Sequence, residues 1–218
     1  MPSKQLSDYK HDPPTYHMLK IASDTVKHPM KALLGGPSVE QARETLTSHG
    51  ITEAEASMIF VDMDGVLVDF NAGAMSVFGH DELRKRQASK SETDKIMTLG
   101  EKFWRDLPPM PGFDTLWNWV DKHDAHILSA RAAWEAPGQS YSYAGKMKWI
   151  KQHLNISISR VHIVRRSEKQ IFATAHNTRN ILIDDLTKNI REWEAHRGIG
   201  IHHKTVPDTI QQLRKLVN

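Results

Sequence analysis

The segment 58–70 constrains the fold of this chain more than any other, and it reads MIFVDMDGVLVDF. Its first four residues are apolar without alternation, which is typical of a strand buried on both faces of a parallel sheet. Asp62 and Asp64 follow at a spacing of two, which puts both carboxylates on the same side of an extended chain. Gly65 then permits a turn away from the strand. Because neighbouring carboxylates repel each other, the pattern indicates a cation or a shared proton rather than a simple polar turn.

The composition is that of an ordinary soluble protein, and it excludes several kinds of site. The 218 residues, 39% hydrophobic and 25% charged, suit one α/β domain with a small insertion or appendage. The net charge of +3 is small and its basic residues are dispersed, so we do not expect a nucleic-acid partner. The absence of cysteine excludes disulfides, thiolate metal sites and a cysteine nucleophile. No apolar run suits a membrane helix or a signal peptide, so we expect a cytoplasmic protein without membrane contact.

Residues 1–56 form an N-terminal arm and helical extension in this interpretation. The polar beginning predicts an extended arm with one short helix over 16–26. A capping-box pattern from Ser38 to Gln41 predicts a second helix, with Gly50 just beyond its end. A piece of this size is too small for a core of its own.

From residue 57 onward, apolar strands alternate with helical patterns, which predicts a doubly wound, Rossmann-like parallel sheet. Ligands of such sheets lie beyond the carboxyl ends of the strands. The polar segment of about 71–107 interrupts the alternation and is long enough for a few short helices. We expect strands over 58–61, 125–129, 161–164, 180–183 and 199–201, and helices over 113–123, 143–154, 167–176, 188–196 and 207–217.

The run from Asp62 to Phe70 resembles motif I of haloacid dehalogenase (HAD) superfamily phosphatases. The nearest match in pattern is the 5'(3')-deoxyribonucleotidase family with its phage-encoded relatives, and the resemblance extends over about 58–203. It implies a HAD-like α/β core over 57–218, in which the segment of about 71–107 is a small helical cap insertion.

The resemblance also implies roles for the residues of motifs I and II. Asp62 would attack phosphorus to give an aspartyl phosphate, and Asp64 would act as the general acid and base. Ser129, at the end of a predicted strand, would bind the phosphoryl group together with Ala130 and Arg131. A strand that ends in serine is common, so this match depends on its order after motif I.

Motif III of the family is a lysine that neutralises the phosphoryl oxygens, and two candidates exist here. Lys169 lies at a predicted helix start shortly before the last acidic strand, and we favour it. Lys146 opens the preceding helix and also has a counterpart in the family, so it stays open as a second phosphate-binding residue. The alternative for each is a solvated lysine on a helix face.

Motif IV is matched by Asp184 and Asp185, two adjacent acids after an apolar strand. Together with Asp62 and the backbone carbonyl of Asp64, they would form a metal site made only of oxygen ligands. Such a ligand set suits Mg²⁺.

The substrate pocket is less strongly indicated. Phe70 matches an aromatic residue that stacks on the base in the deoxyribonucleotidases, and Trp104 lies where those enzymes also present aromatics. Burial in the core is the alternative for both. His202 and His203 would point to opposite faces of a strand and therefore would not chelate one ion together.

These expectations combine into an Mg²⁺-dependent phosphomonoesterase whose substrate is a small phosphomonoester, in particular a (deoxy)nucleoside monophosphate. One alternative keeps the chemistry and changes the substrate to a sugar phosphate or a nucleic-acid end phosphate. A second alternative is a non-catalytic protein that binds phosphate or a partner on a HAD scaffold.

Overall fold

The computed structural model describes residues 6–27, 36–49, 57–79, 89–135, 138–175 and 178–217. The chain divides into two compact units, Met1–Ala56 and Ser57–Asn218. None of the helices in the described ranges is long and apolar enough to span a membrane.

The N-terminal unit contains a 3₁₀ turn, Leu6–Tyr9, and two helices, α1 (Pro13–Lys27) and α2 (Val39–Ser48). The predicted helix over 16–26 is confirmed, and α1 begins three residues earlier because the two prolines occupy its first turn, where no backbone N–H is needed. The segment Leu6–Tyr9, expected to be extended, forms a 3₁₀ turn instead. The unit also has a small apolar core, contrary to expectation. Its buried members are Leu19, Ala22, Ala42 and Leu46.

The predicted capping box at the start of α2 is confirmed. The Ser38 hydroxyl accepts a hydrogen bond from the Gln41 amide at 3.1 Å, and the Gln41 side-chain oxygen accepts one from the Ser38 amide at 2.9 Å. The predicted helix end at Gly50 lies outside the described residues.

The second unit is built on a five-stranded parallel sheet, as predicted. The strands are β1 (Ile59–Val61), β2 (His126–Ala130), β3 (Val161–Val164), β6 (Ile181–Asp184) and β7 (Ile199–His202), arranged in the order β3-β2-β1-β6-β7. Because β1 lies between β2 and β6, the chain winds outward from it in both directions. The carboxyl ends of these three strands therefore meet at one edge, where this class of sheet binds ligands.

Apolar side chains cover both faces of the sheet. Ile59 and Val61 of β1 belong to the larger apolar cluster, while Phe60 between them belongs to a second cluster on the other face. Strand β6 repeats this alternation. Burial on both faces explains why the strand sequences are apolar without alternation.

Helices surround the sheet. They are α3 (Phe70–Phe78), α4 (Lys90–Leu99), α5 (Glu101–Arg105), α6 (Phe113–Val120), α7 (Tyr141–His153), α8 (Thr187–Ala195) and α9 (Val206–Leu213). The first three occupy the polar segment between β1 and α6, apart from residues 80–88, which lie outside the described ranges.

One predicted helix, over 167–176, is wrong. The chain instead forms a 3₁₀ helix, Arg166–Phe172, and then a two-stranded hairpin of β4 (Thr174–Ala175) and β5 (Thr178–Arg179). At the start of the 3₁₀ helix, the Glu168 carboxylate accepts a hydrogen bond from the Arg165 amide.

Candidate active site

The chain turns sharply after β1, and this turn places Asp62 against β6. The Asp62 amide donates to the Ile183 carbonyl at 2.9 Å, and the Met63 carbonyl accepts from the amides of Leu67 and Val68. Gly65 has a φ of +76°, and a Cβ there would lie 2.2 Å from an Asp185 carboxylate oxygen. The glycine is therefore needed both for the turn and for the close approach of Asp185.

The two aspartates of the turn lie in different surroundings. The Oδ1 atom of Asp62 accepts from the Met63 amide at 2.8 Å and pairs with Lys169 at 3.0 Å. Among the described residues no donor contacts its Oδ2 atom. Asp62 therefore keeps one carboxylate oxygen available to a ligand.

Asp64 has one paired oxygen and one unpaired oxygen. Its Oδ2 atom accepts from Lys146 at 2.5 Å, whereas Oδ1 is buried and has no hydrogen-bond partner in the described part of the chain. Although the whole side chain is 31% exposed, the exposed part is not Oδ1. Burial raises the pKa of Asp64, and the charge of Lys146 opposes that rise. A carboxyl group of this kind retains a proton more readily than an exposed aspartate does.

Lys146 is fully buried, with a relative exposure of 0%. Its ammonium donates to Asp64 Oδ2 at 2.5 Å, to Ser129 Oγ at 2.9 Å and to the Ala130 carbonyl at 2.8 Å. An ammonium has three N–H donors, so all three are used. Since the Ser129 hydroxyl accepts from Lys146, its own hydrogen stays available for donation.

Lys169 is also buried, and it joins Asp62 to Asp184. Its ammonium lies 3.0 Å from Asp62 Oδ1 and 2.8 Å from Asp184 Oδ2, which leaves one N–H without a partner among the described residues. Burial alone would lower the pKa of Lys169, but the charges of the two carboxylates outweigh it and raise the pKa. Neither lysine is the solvated helix-face residue that was the alternative.

Asp184 and Asp185 differ in how many hydrogen bonds their carboxylate oxygens accept. Asp184 Oδ1 accepts from the Leu186 amide and from Asn189 Nδ2, and its Oδ2 atom accepts from Lys169 and again from Asn189. Apart from the Asp185 amide itself, no group of the described residues donates to the Asp185 carboxylate. Burial and the charge of Asp62 raise the pKa of Asp184 to about 6, and the same causes raise that of Asp185 to about 7.

These groups fit a divalent cation. Asp62, Asp184 and Asp185 each offer a carboxylate oxygen, and these oxygens all lie within 4.8 Å of one another. When these three carboxylates are ionised, their charge exceeds that of the single ammonium, Lys169, which contacts two of them. An oxygen-only ligand set with excess negative charge suits Mg²⁺.

An aromatic stack of Phe70, Trp104 and Trp134 lies beside the acidic groups. The rings of Phe70 and Trp104 are 5.6 Å apart, and Trp104 stacks on Trp134 at 6.2 Å. The Lys146 ammonium lies 5.3 Å from the Trp104 ring centroid. Trp104 is 3% exposed and Trp134 is 38% exposed. Trp134 is therefore the most exposed member of the stack, and the sequence interpretation missed it.

Two helices bring this stack to the lysine. A Cβ on Gly145, which precedes Lys146 in α7, would lie 2.4 Å from the Trp104 Cβ and 2.5 Å from the Glu101 carbonyl oxygen. Only a glycine at this position lets α5 approach α7 so closely. Trp104 and Lys146 meet for this reason.

The remaining predicted residues lie at the same edge of the sheet. Arg131 follows β2, where its amide donates to the Val164 carbonyl, and no ion pair of its guanidinium occurs within the described ranges. His202 contacts the Asp185 carbonyl at 2.9 Å, whereas His203 contacts the Thr209 hydroxyl at 2.8 Å. The two histidines therefore have different hydrogen-bond partners.

Asn189 is the other residue that sequence reasoning missed. Its amide contacts both Asp184 oxygens from one turn into α8 and accepts a hydrogen bond from Arg166 at 3.3 Å. The only indication of this contact in the sequence was that Asn189 follows Asp184 by five residues, just after a predicted helix start.

No family model matches the chain. A protein of Vibrio phage KVP40 that carries the name "Putative 5'(3')-deoxyribonucleotidase" is 28% identical over 141 residues, which cover 63% of this chain and 71% of the phage protein. The core is a doubly wound, Rossmann-like α/β fold, and an acidic turn follows the central strand of its parallel sheet.

Two solved structures are also similar. A hydrolase from Streptococcus pneumoniae TIGR4 matches with a TM-score of 0.45 and 9% identity, covering 73% of this chain and 99% of its own. A hydrolase from Pseudomonas syringae matches with a TM-score of 0.43 and 11% identity, covering 75% of this chain and 100% of its own.

Proposed function

We propose that this protein is a Mg²⁺-dependent phosphomonoesterase that hydrolyses (deoxy)nucleoside monophosphates through an aspartyl phosphate on Asp62. The observation that carries the proposal is the contrast within motif I. Among the described residues, no donor contacts one oxygen of Asp62, and two residues away the buried Oδ1 atom of Asp64 has no partner, while burial raises the pKa of Asp64. A nucleophile and an acid are thus adjacent.

In the first step, a carboxylate oxygen of Asp62 attacks phosphorus, and the bond from phosphorus to the leaving oxygen breaks. Asp64 transfers its proton to that oxygen, and the alcohol departs. In the second step, Asp64 takes a proton from water as the water oxygen attacks phosphorus. Inorganic phosphate leaves and the Asp62 carboxylate is restored.

The phosphoryl oxygens would be bound by donors that are still available. These are the third N–H of Lys169 and the hydroxyl hydrogen of Ser129. The Arg131 guanidinium, at the same strand end, would add a further contact. Donor counting supports Lys169 as the motif III lysine, since every N–H of Lys146 is already used.

The residues that would hold Mg²⁺ are Asp62, Asp185 and the backbone carbonyl of Asp64. Bound there, the ion would neutralise charge on the phosphoryl group and the nucleophile. Asp184, whose oxygens already accept hydrogen bonds, would support the site by holding Lys169 in place.

The nucleotide preference rests on the aromatic stack and on the name of the phage relative. A base could stack on the exposed face of Trp134, an interaction worth roughly 1–3 kcal/mol in nucleic-acid complexes. Helices α3 to α5, which carry Phe70 and Trp104, would act as the cap over the substrate.

A phosphate-release screen tests the proposal. The panel contains nucleoside 5'- and 3'-monophosphates, sugar phosphates and a 5'-phosphorylated oligonucleotide, each with Mg²⁺ and with EDTA. We expect release from mononucleotides that EDTA abolishes and that Asp62→Asn lacks. Faster release from a sugar phosphate or an oligonucleotide would change the substrate class, and binding without release would overturn the enzymatic proposal.

A further inference from the structure

The two buried lysines contact different members of the motif I pair. Lys169 pairs with Asp62, whereas Lys146 donates to Asp64. They also differ in how many N–H donors remain unused. One N–H of Lys169 has no partner among the described residues, whereas all three N–H groups of Lys146 donate hydrogen bonds. A single role shared by both lysines does not explain this difference.

Lys146 is anchored independently of Asp64. Its other two hydrogen bonds go to Ser129 Oγ and to the Ala130 carbonyl, at the end of β2. Gly145 fixes the preceding turn of α7 against α5, and the Trp104 ring lies over the ammonium. Lys146 therefore presents a fixed donor to Asp64 Oδ2 and restricts rotation of that carboxyl group. The Asp64 Oδ1 atom has no hydrogen-bond partner within the described ranges.

We propose that Lys146 is a positioning residue for the general acid. It fixes the orientation of the Asp64 carboxyl group through its hydrogen bond to Oδ2, while Lys169 acts on the nucleophile and the phosphoryl group. This inference rests on the proposed phosphomonoesterase function and assigns the second lysine a separate task within it. The proton of the Asp64 carboxyl group moves to the leaving oxygen as the bond from phosphorus to that oxygen breaks.

The two tasks predict different dependence on the leaving group. A nitrophenolate leaves without much help from an acid, whereas the alkoxide of a nucleoside or a simple alkyl phosphate needs a proton. Loss of the acid or of its orientation therefore slows alkyl phosphates selectively. Loss of charge at phosphorus slows both substrate classes alike.

The experiment measures kcat for 4-nitrophenyl phosphate and for a nucleoside monophosphate with the same preparation of each variant. The ratio of the two rates does not depend on the fraction of protein that is active. For Lys146→Met we expect the nucleotide rate to fall about 10²–10⁴-fold, the usual worth of a positioned acid. The nitrophenyl rate should fall at least about tenfold less. For Lys169→Met both rates should fall by the same factor.

A double variant tests whether Lys146 acts through Asp64. If it does, Asp64→Asn with Lys146→Met should be no slower on the nucleotide than Asp64→Asn alone, because residues that act as a unit are not additive. Lys148→Met is the matched control, since Lys148 lies on α7 two residues further on, with its side chain 54% exposed and paired with Glu101. Its rate ratio should equal that of the parent protein.

Equal losses on both substrates in Lys146→Met, or additive losses in the double variant, would overturn the inference. If Lys146→Met yields no folded protein, Lys146→Gln replaces it, because the amide can still donate to Asp64 Oδ2. Its rate ratio should then lie between those of the parent and Asp64→Asn, and a ratio unchanged despite a large loss of rate would contradict the positioning role. Activity retained in Asp62→Asn would instead refute the proposed function itself.

Discussion

Asp184 and Asp185 are adjacent in sequence but have different surroundings. The Asp184 oxygens accept hydrogen bonds from Lys169, Asn189 and the Leu186 amide, whereas the Asp185 carboxylate has no donor among the described residues beyond its own amide. Removing Asp185 should remove a metal ligand, and removing Asp184 should release a lysine. Substitution of either of these neighbouring acids would then lower activity, but for a different reason in each case.

We expect Asp185→Ala to weaken Mg²⁺ binding, so that high Mg²⁺ restores part of its activity. Asp184→Ala should be rescued little, since added metal does not reposition Lys169. Phosphate release measured over a range of Mg²⁺ concentrations distinguishes the two. Identical Mg²⁺ dependence in both variants would contradict this division.

The raised pKa of Asp185 has a consequence for stability without metal. Its pKa is about 7 in the folded protein against an ordinary value of 3.8, so the folded state binds this proton more tightly than the unfolded state does. The contribution is fully present below pH 3.8 and is lost as the pH rises through about 7. A shift of this size corresponds to roughly 1–4 kcal/mol.

In EDTA, the melting temperature of the parent protein should therefore fall between pH 5 and pH 8 relative to that of Asp185→Asn, which cannot titrate at this position. Added Mg²⁺ should reverse the loss at the higher pH, because it binds the ionised carboxylate. Differential scanning calorimetry of both proteins checks this. Parallel pH profiles for parent and variant would show that Asp185 does not carry the effect.

Among the helices, the contact between α5 and α7 determines how the aromatic stack reaches the acidic groups. A side chain at Gly145 would overlap the Trp104 Cβ and the Glu101 carbonyl. We expect Gly145→Ala to destabilise the protein by about 1–3 kcal/mol and to raise KM for nucleotides by displacing Trp104. Urea denaturation and steady-state kinetics measure the two effects.

Tyr143→Ala serves as the control, since Tyr143 lies on the same helix and is exposed. It should leave both the urea midpoint and KM close to the parent values. A Gly145→Ala protein as stable as the parent, with unchanged KM, would mean that α5 can move away from α7 without consequence.

The strands were predictable because their patterns are local and their faces are both buried. Asp62, Ser129 and Asp184 each end an apolar run, so the parallel topology brings them to one edge. The 3₁₀ helix Arg166–Phe172 was not predictable in this way. Ser167 and Gln170 have the same capping spacing as Arg165 and Glu168, and only the folded structure selects the second pair.

The sequence was enough to predict which residues form the site, but not which of them contact one another. Which lysine contacts which aspartate depends on the distance between α7 and the strand ends, and that distance is fixed by Gly145 and Trp104. Trp134 lies in a loop without periodicity, so no pattern indicated its stacking on Trp104. These contacts depend on how elements that are distant in sequence pack together, and no local pattern predicts that packing.

In the chain as a whole, every residue of the candidate site lies in the unit Ser57–Asn218. We therefore predict that a chain without residues 1–56 keeps a kcat close to that of the full chain. Calorimetry establishes that the shortened chain is folded, and phosphate release per folded molecule is then compared. A large fall in kcat in a folded core would show that the N-terminal unit contributes to catalysis.

The most direct test of the mechanism is to trap the covalent intermediate. The protein is mixed with a nucleoside monophosphate and Mg²⁺, quenched in acid during turnover, digested and analysed by mass spectrometry. We predict one phosphoryl group on the peptide that contains Asp62, sensitive to hydroxylamine and absent from Asp62→Asn, which should also release no phosphate. Turnover without this adduct, together with near-normal phosphate release by Asp62→Asn, would contradict the aspartyl-phosphate mechanism.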